Sequence, residues 1–446
     1  MSLPRYPKYK HSGAQWLGVV PEHWEVMAIK RLSPVQRGAS PRPIDDPKYF
    51  DEEGEYAWVR IADVSASDGR LIETTQRLSE LGSSLSVKIE PGSLFVSIAG
   101  TVGKPCITTI KACIHDGFVY FPKLSLPPKF LYRIFEAGQC YAGLGKFGTQ
   151  LNLNTDTIGA IQIAVPPKNE LVNILQFLDR ETGKIDALIS EQEKLLTLLA
   201  EKRQATISHA VTRGLNPDAP MKDSGVEWLG EVPEHWTTPP LYLRYSSELG
   251  KMLDTSRITG EHLVPYLRNT DVQWGSVNFD DLPTMDIEPS EYTRYTVQNG
   301  DLMVCEGGEV GRTAIALDVP GIVGYQKALH RLRTISHEEH PTFMFYTLNW
   351  AAKHGVFDGG GQATIAHLTG AQLRKYRFPK PSLSEQLYIT QFLDTETAKL
   401  DTLKDEAERA IALLKERRSA LIAAAVTGQI DVRGVLTQLG QEVVAA

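Results

Sequence analysis

Two stretches of the chain carry a sustained hydrophobic rhythm that the remainder lacks. From about residue 168 to 213, and again from about 383 to 427, there is no proline, and only Gly183 interrupts the first stretch. Apolar residues recur there near a 3.5-residue period: Leu178, Ile185, Leu188, Leu195 and Leu199 in the first, and Leu400, Leu403, Ala407, Ala410, Leu414 and Leu421 in the second. That spacing lays a narrow apolar seam along a long helix. Ser382 and Glu385 have the spacing of a capping box, in which the hydroxyl accepts from an amide and the carboxylate reaches back. Gly214 and Gly428 stand where a left-handed terminating residue is wanted. A helix of ~44 residues is about 66 Å long at 1.5 Å per residue. Each seam could lie on its own domain. The strict period in both favours the seams meeting each other, with the polar, proline-containing segment at 214–224 turning the chain back.

Outside these stretches the texture is rich in Gly, Pro and short β-branched runs. Leu94–Ile98 and Leu302–Cys305 each follow a turn signal and read as strands of mixed α+β domains. The two halves are also a duplication. SGAQWLGVVPEHW from Ser12 matches SGVEWLGEVPEHW from Ser224, and GSLFVSIAGTVGKPCI from Gly92 matches GDLMVCEGGEVGRTAI from Gly300. QFLDRETGKID from Gln176 matches QFLDTETAKLD from Gln391, in the same order and at nearly the same offset. A unit this large is a duplicated domain rather than a solenoid repeat of ~20–50 residues. The expected fold is α+β: two globular domains related by a pseudo-two-fold axis, separated by two long helices forming an antiparallel coiled coil. The boundaries are 1–165, a helical region at 166–214, a linker with the repeated opening segment at 215–236, a second domain at 237–380, a helical region at 381–428, and a tail at 429–446.

Composition bounds the class. Of 446 residues, 42% are hydrophobic and 23% charged, which suits folded globular domains and excludes wholesale disorder. No apolar run approaches the ~18–20 residues of a membrane span, and the N-terminus lacks a signal-peptide core, so a cytoplasmic location is expected. The four cysteines, Cys106, Cys113, Cys140 and Cys305, form no C-x-x-C pair, against both a disulfide framework and a zinc knuckle. The net charge of −7 speaks against a wholly basic nucleic-acid binder. Divided along the chain it is uneven: +2 over 1–165, −1 over 166–219, −5 over 220–380 and −3 over 381–446.

Catalytic motifs fail one by one. No Pro-Pro pair sits in the Asn/Asp-Pro-Pro-aromatic context that holds a flipped base, and no Glu-x-Lys triplet exists for a nuclease carboxylate pair. Phe357-Asp-Gly-Gly-Gly361 matches a nucleoside-loop pattern literally but lacks the strand-to-helix context, and reads as a loop. Gly100-Thr-Val-Gly103-Lys104 lacks the first glycine of a phosphate loop; with its copy Gly308–Arg312 it reads as a tight turn presenting a cation. His337-Glu-Glu-His340 has the wrong spacing for a helical zinc pair and precedes Pro341, so a solvated loop is expected. His23 and His235, each beside a Trp, read as hydrogen-bonded structural residues.

The opening SG-x-x-WLG-x-VPEHW, the Gly-Asp-Leu and Gly-x-x-Gly-Lys/Arg segments, and the closing Ile/Leu-Asp…Glu-Lys/Arg-Arg…Ala-Val-Thr helix resemble the DNA-specificity subunit of bacterial or archaeal type I restriction–modification systems. The resemblance runs twice along the chain, from about 12 to 428. It implies two target-recognition domains, each reading half of a bipartite, asymmetric double-stranded DNA site, with the helices as spacer. It implies two modification (methyltransferase) subunits and restriction (translocase-endonuclease) subunits as partners. S-adenosylmethionine, ATP and Mg belong to those partners, and no catalytic, cofactor or metal site is expected in this chain. Helix length would set an unread spacer close to one turn of DNA, ~34 Å. A diverged methyltransferase and a coiled-coil adaptor that binds no DNA are the alternatives.

Base edges are read by Arg or Lys on guanine and by Asn or Gln on adenine. The candidates are Arg60 and Arg268, at matching positions; Lys104 and Arg312, ending the Gly-x-x-Gly turns; Gln150 and Gln362 after the Gly-rich segments, with Lys146 and Thr149 beside the first; and Gln326 and Lys327, where the first copy has His115-Asp116. Two half-sites that differ need readers that differ, so the non-identical pairs are the stronger candidates.

Overall fold

The computed structural model describes residues 3–144, 153–253, 259–357 and 367–434, which fall into two compact units: residues 1–193 with 409–446, and residues 194–408. The division passes through both long helices, Lys168–Arg213 and Leu383–Val426. Gly214 (φ 73°) and Gly428 (φ 71°) end them in the left-handed conformation that glycine adopts without a Cβ clash. The capping box is half formed. Ser382 Oγ accepts from the Glu385 amide at 3.3 Å, but the Glu385 carboxylate bonds His235 at 2.9 Å instead of its own helix start.

Each long helix buries a set of positions that differs from the apolar series. Leu178, Thr182, Ile185 and Leu199 are buried on the first helix, and Leu393, Thr397, Leu400 and Ala407 on the second. Leu188, Leu195 and Leu403 are 52%, 39% and 46% exposed and lie outside that set. Alternate steps of four and three from Leu178 pass through Thr182 and Ile185 to Ile189, so Leu188 falls one position early, about 100° round the helix. Apolar and buried positions diverge because Thr182 and Thr397 are buried within their units, Thr182 accepting from Arg133 Nη2 at 3.3 Å and Thr397 lying 3.4 Å from Tyr346 Oη. Their hydroxyls donate to the carbonyls of Leu178 and Leu393, both at 2.7 Å, so burial leaves no unmet hydroxyl.

Within each unit the helical segments are antiparallel. In the first, Asp186 meets Arg418 at 2.7 Å and Glu170 meets Arg433, beyond the second helix's end, at 3.6 Å. In the second, Arg203 pairs with Asp401, and a Cβ on Gly214 would lie 3.3 Å from Glu385.

Each unit adds two main sheets. The first has a five-stranded sheet in the order Gln36–Arg37, Phe118–Tyr120, Leu94–Ser97, Pro105–Thr108, Arg70–Leu71, and a four-stranded one in the order Gln76–Leu78, Tyr56–Val59, Ala112–Ile114, Val87–Ile89. The second has Tyr245–Leu249, Leu329–Thr334, Leu302–Cys305, Thr313–Ile315, and a three-stranded sheet Thr284–Asp286, Leu263–Leu267, Gly324–Tyr325. Leu94–Ser97 and Leu302–Cys305 are buried at every residue, which is why they read as continuous rather than alternating apolar runs.

The loop at His337–His340 is not wholly solvated. It buries Glu339 against Arg244, whose Nε and Nη2 donate to the carboxylate at 2.8 and 2.7 Å. In the first unit the N-terminal segment and the tail meet: Tyr9 Oη donates to Gly428 O at 3.1 Å, Gln429 Nε2 to Val19 O at 2.7 Å, and the Asp431 amide to Pro4 O at 2.8 Å.

Candidate DNA interface

The repeated Pro-Glu-His-Trp segments serve packing. Glu170 accepts from Tyr6 Oη at 3.2 Å and Trp24 Nε1 at 3.0 Å, and lies 2.7 Å from His23 Nε2. His235 and Glu385 repeat the pair in the second unit.

A parallel strand pair sends both chains out at one sheet edge, and in each unit that edge gathers several of the residues singled out from the sequence. In the first unit Val59 pairs with Ile114, so Arg60 emerges beside His115-Asp116. In the second Leu267 pairs with Tyr325, so Arg268 emerges beside Gln326-Lys327. Arg60 leads into the helix Ile61–Ala66, its amide donating to Asp63 at 2.8 Å and its guanidinium to Thr75. Arg268 donates from Nε and Nη2 to Asp271 at 2.9 and 2.7 Å, and this bonded carboxylate holds the guanidinium above its ordinary pKa.

The turn cations point inward. Gly103 and Gly311 have φ of 87° and 78° and bend the chain back, so Lys104 Nζ donates to Ser65 O and Ser67 O at 2.9 and 2.8 Å, around the carboxyl end of that short helix. Arg312 Nη2 donates to Asn269 O and Oδ1 at 3.0 and 2.7 Å, and Nη1 to Glu309 at 2.8 Å. The four matched cations are thus engaged within their own units. Lys327 is exposed and Gln326 half-buried. Lys146, Thr149, Gln150 and Gln362 lie outside the described residues.

Glycines allow a third segment to reach the same edge. A Cβ on Gly38 would lie 2.2 Å from His115 O, and one on Gly250 2.2 Å from Gln326 O, so any side chain would collide with backbone. These contacts bring in residues the sequence reading missed: Arg37 and Arg42 in the first unit, Lys251 in the second. Arg42 Nη2 donates to Asp116 Oδ2 at 3.0 Å, and Lys251 pairs with Glu291. The available signal was Asp116 itself, an acid where a reader was sought, which calls for a cationic neighbour. Burial holds the His115 imidazole below its ordinary pKa, opposed by Asp116.

The edge offers cations and amide donors. Burial pushes the thiols of Cys106 and Cys113 up to about 11 and that of Cys140 up to about 12. Among the described residues no cluster of His, Cys, Asp and Glu is placed to hold a metal, and no helix is long and apolar enough to cross a membrane.

A family model described as the type I restriction modification DNA specificity domain matches residues 21–197 and 247–411. The chain belongs to this family. Among curated specificity-family relatives, the type I restriction enzyme EcoKI specificity subunit of Escherichia coli K12 is 23% identical over 295 residues, 63% of this chain and 60% of the relative. The EcoBI specificity subunit of Escherichia coli is 40% identical over 67 residues, 15% of this chain and 14% of that protein. The match therefore spans about three fifths of the first relative and a small part of the second. The fold resembles a chain solved in a study of type I restriction–modification complex assembly and conformational transition (TM-score 0.66, 17% identity, covering 91% of this chain and 98% of that one). It also resembles the HsdS subunit from Thermoanaerobacter tengcongensis (TM-score 0.53, 16% identity, 92% and 98%).

Proposed function

We propose that this specificity-family chain is the sequence-reading subunit of a type I restriction–modification complex. Each unit reads one half of a bipartite, asymmetric DNA site, and the chain docks methyltransferase and restriction subunits. Methyl transfer and cleavage, with S-adenosylmethionine, ATP and Mg, belong to those partners. The observation that carries the reading is the duplicated strand edge: one scaffold holds Arg60 and Arg268 alike, yet sets His115-Asp116 in one copy against Gln326-Lys327 in the other. Equivalent frames with unlike outward residues suit two different half-sites. The recognition domains are taken as 1–165 and 237–380, with the helical regions 166–214 and 381–428 as an antiparallel coiled-coil spacer. The antiparallel segments within each unit support that arrangement.

The acidic second domain needs little grip of its own if partners supply phosphate contacts, since that part of affinity is electrostatic and sequence-independent. Selection of randomised duplexes on the chain assembled with its modification subunit tests the reading. The expected result is a two-part motif with an unread spacer; enrichment of no motif overturns it.

A further inference from the structure

We propose that Arg42 is a specificity-determining residue of the first unit, reading a guanine edge while Asp116 orients its guanidinium. The proposal rests on the function above and names one of its readers.

Asp116 is engaged by three side chains. Its Oδ1 accepts from Ser40 Oγ at 3.1 Å, its Oδ2 from Arg42 Nη2 at 3.0 Å, and its main-chain oxygen from Arg37 Nε. The Arg42 backbone is fixed as well, since Tyr49 Oη donates to its carbonyl at 2.8 Å. Yet the Arg42 side chain is 71% exposed. A guanidinium has five N–H donors in one rigid plane; the carboxylate engages one nitrogen at 3.0 Å, and the exposed side chain leaves the remaining donors accessible to a ligand. Two parallel donors in that plane match O6 and N7 of guanine.

The neighbouring carboxylate also decides between ligands. Its negative charge weakens the pull of Arg42 on a phosphate, whereas a guanine edge presents neutral acceptors. Position argues the same way. Asp116 follows the parallel strand end beside Arg60, at the place where the second unit carries Lys327, with Lys251 held by Glu291. The two copies therefore differ in charge at one site on a shared frame, as readers of unlike half-sites must. His115, within electrostatic reach of Arg37, Asp63 and Asp116, ties these groups into one patch.

The test is duplex selection on the full chain assembled with its modification subunit, comparing wild type with Arg42→Ala, Arg42→Lys and Asp116→Asn. Arg42→Ala is expected to lower preference for guanine at a single position of one half-site by about tenfold or more, leaving the other half-site unchanged. Arg42→Lys, which keeps the charge and loses the fork, should relax the same position, and Asp116→Asn should relax it less. An unchanged motif overturns the proposal, as does full preference retained by Arg42→Lys. Uniform weakening across all sequences, with the salt slope reduced by about one, identifies a phosphate contact and overturns it too. A wild type that enriches no motif overturns instead the reading on which the proposal rests.

Discussion

Arg244 and Glu339 form a buried pair, their side chains 1% and 0% exposed, in which Arg244 Nη1 also donates to the carbonyls of Phe378 and Pro379 at 3.1 and 3.0 Å. Arg244→Ala would leave the buried Glu339 carboxylate with only Lys380, 3.6 Å away, so we expect a loss of about 3 kcal/mol by denaturant unfolding. A loss below about 0.5 kcal/mol would refute that accounting. His330 is fully buried with Nε2 2.8 Å from Leu368 O, and burial lowers its pKa. The unfolded chain therefore takes up this proton first as pH falls. The contribution is complete above the ordinary histidine value of ~6.5 and is lost below it. Stability should decline from pH 7 towards pH 5, and His330→Gln should flatten that slope in melts across the range. Matched cations were legible at this scale from their spacing, but their partners were not. Nothing in Gly-x-x-Gly-Lys says that the turn folds Lys104 back onto Ser65 and Ser67.

The long helices were the most legible elements, because absence of proline and terminal glycines are local signals that packing need not override. Which of their positions are buried was less so, since the hydrophobic pattern cannot weigh a threonine whose hydroxyl is satisfied within its own helix. Ile185→Ala should cost about 2–4 kcal/mol, whereas Leu188→Ala, on an exposed face, should change unfolding by less than about 0.5 kcal/mol. Equal effects would restore the simple apolar seam. If the helices set the half-site spacing as proposed, removing seven residues from each, close to two turns, keeps the buried face in register and shortens the spacer by about 10 Å. At 3.4 Å per base pair, methylation mapping should then show a gap about three base pairs shorter with unchanged half-sites. An unchanged gap would refute the proposed spacer role of the helices.

The molecule as a whole repeats one plan with different closures. In the second unit, the segment from Gly214 to the hairpin Met221–Asp223/Glu231–Pro233 is continuous chain. In the first, the matching hairpin Tyr9–His11/Val19–Pro21 receives the tail, with Val432 buried in its core and Arg433 4.8 Å from the Tyr6 ring centroid. Deleting 429–446 should therefore lower the melting temperature of the first unit and spare the second, read by hydrogen exchange in each. Equal loss of protection in both would show that the tail serves the whole chain. The duplication and its order were plain in the sequence; this meeting of distant segments was not, because nothing local encodes it.

The discontinuity of the first unit has a consequence on the ribosome. Residues 194–408 emerge as one uninterrupted stretch and can acquire their contacts while synthesis continues. The unit that begins first must wait, its part of the helix, from Lys168 to Glu193, lacking its neighbour until Arg409 and beyond appear. Domains generally fold in the order in which they are made; here the half translated earlier is completed last, and its unpaired apolar surfaces are what a chaperone would meet in the interval.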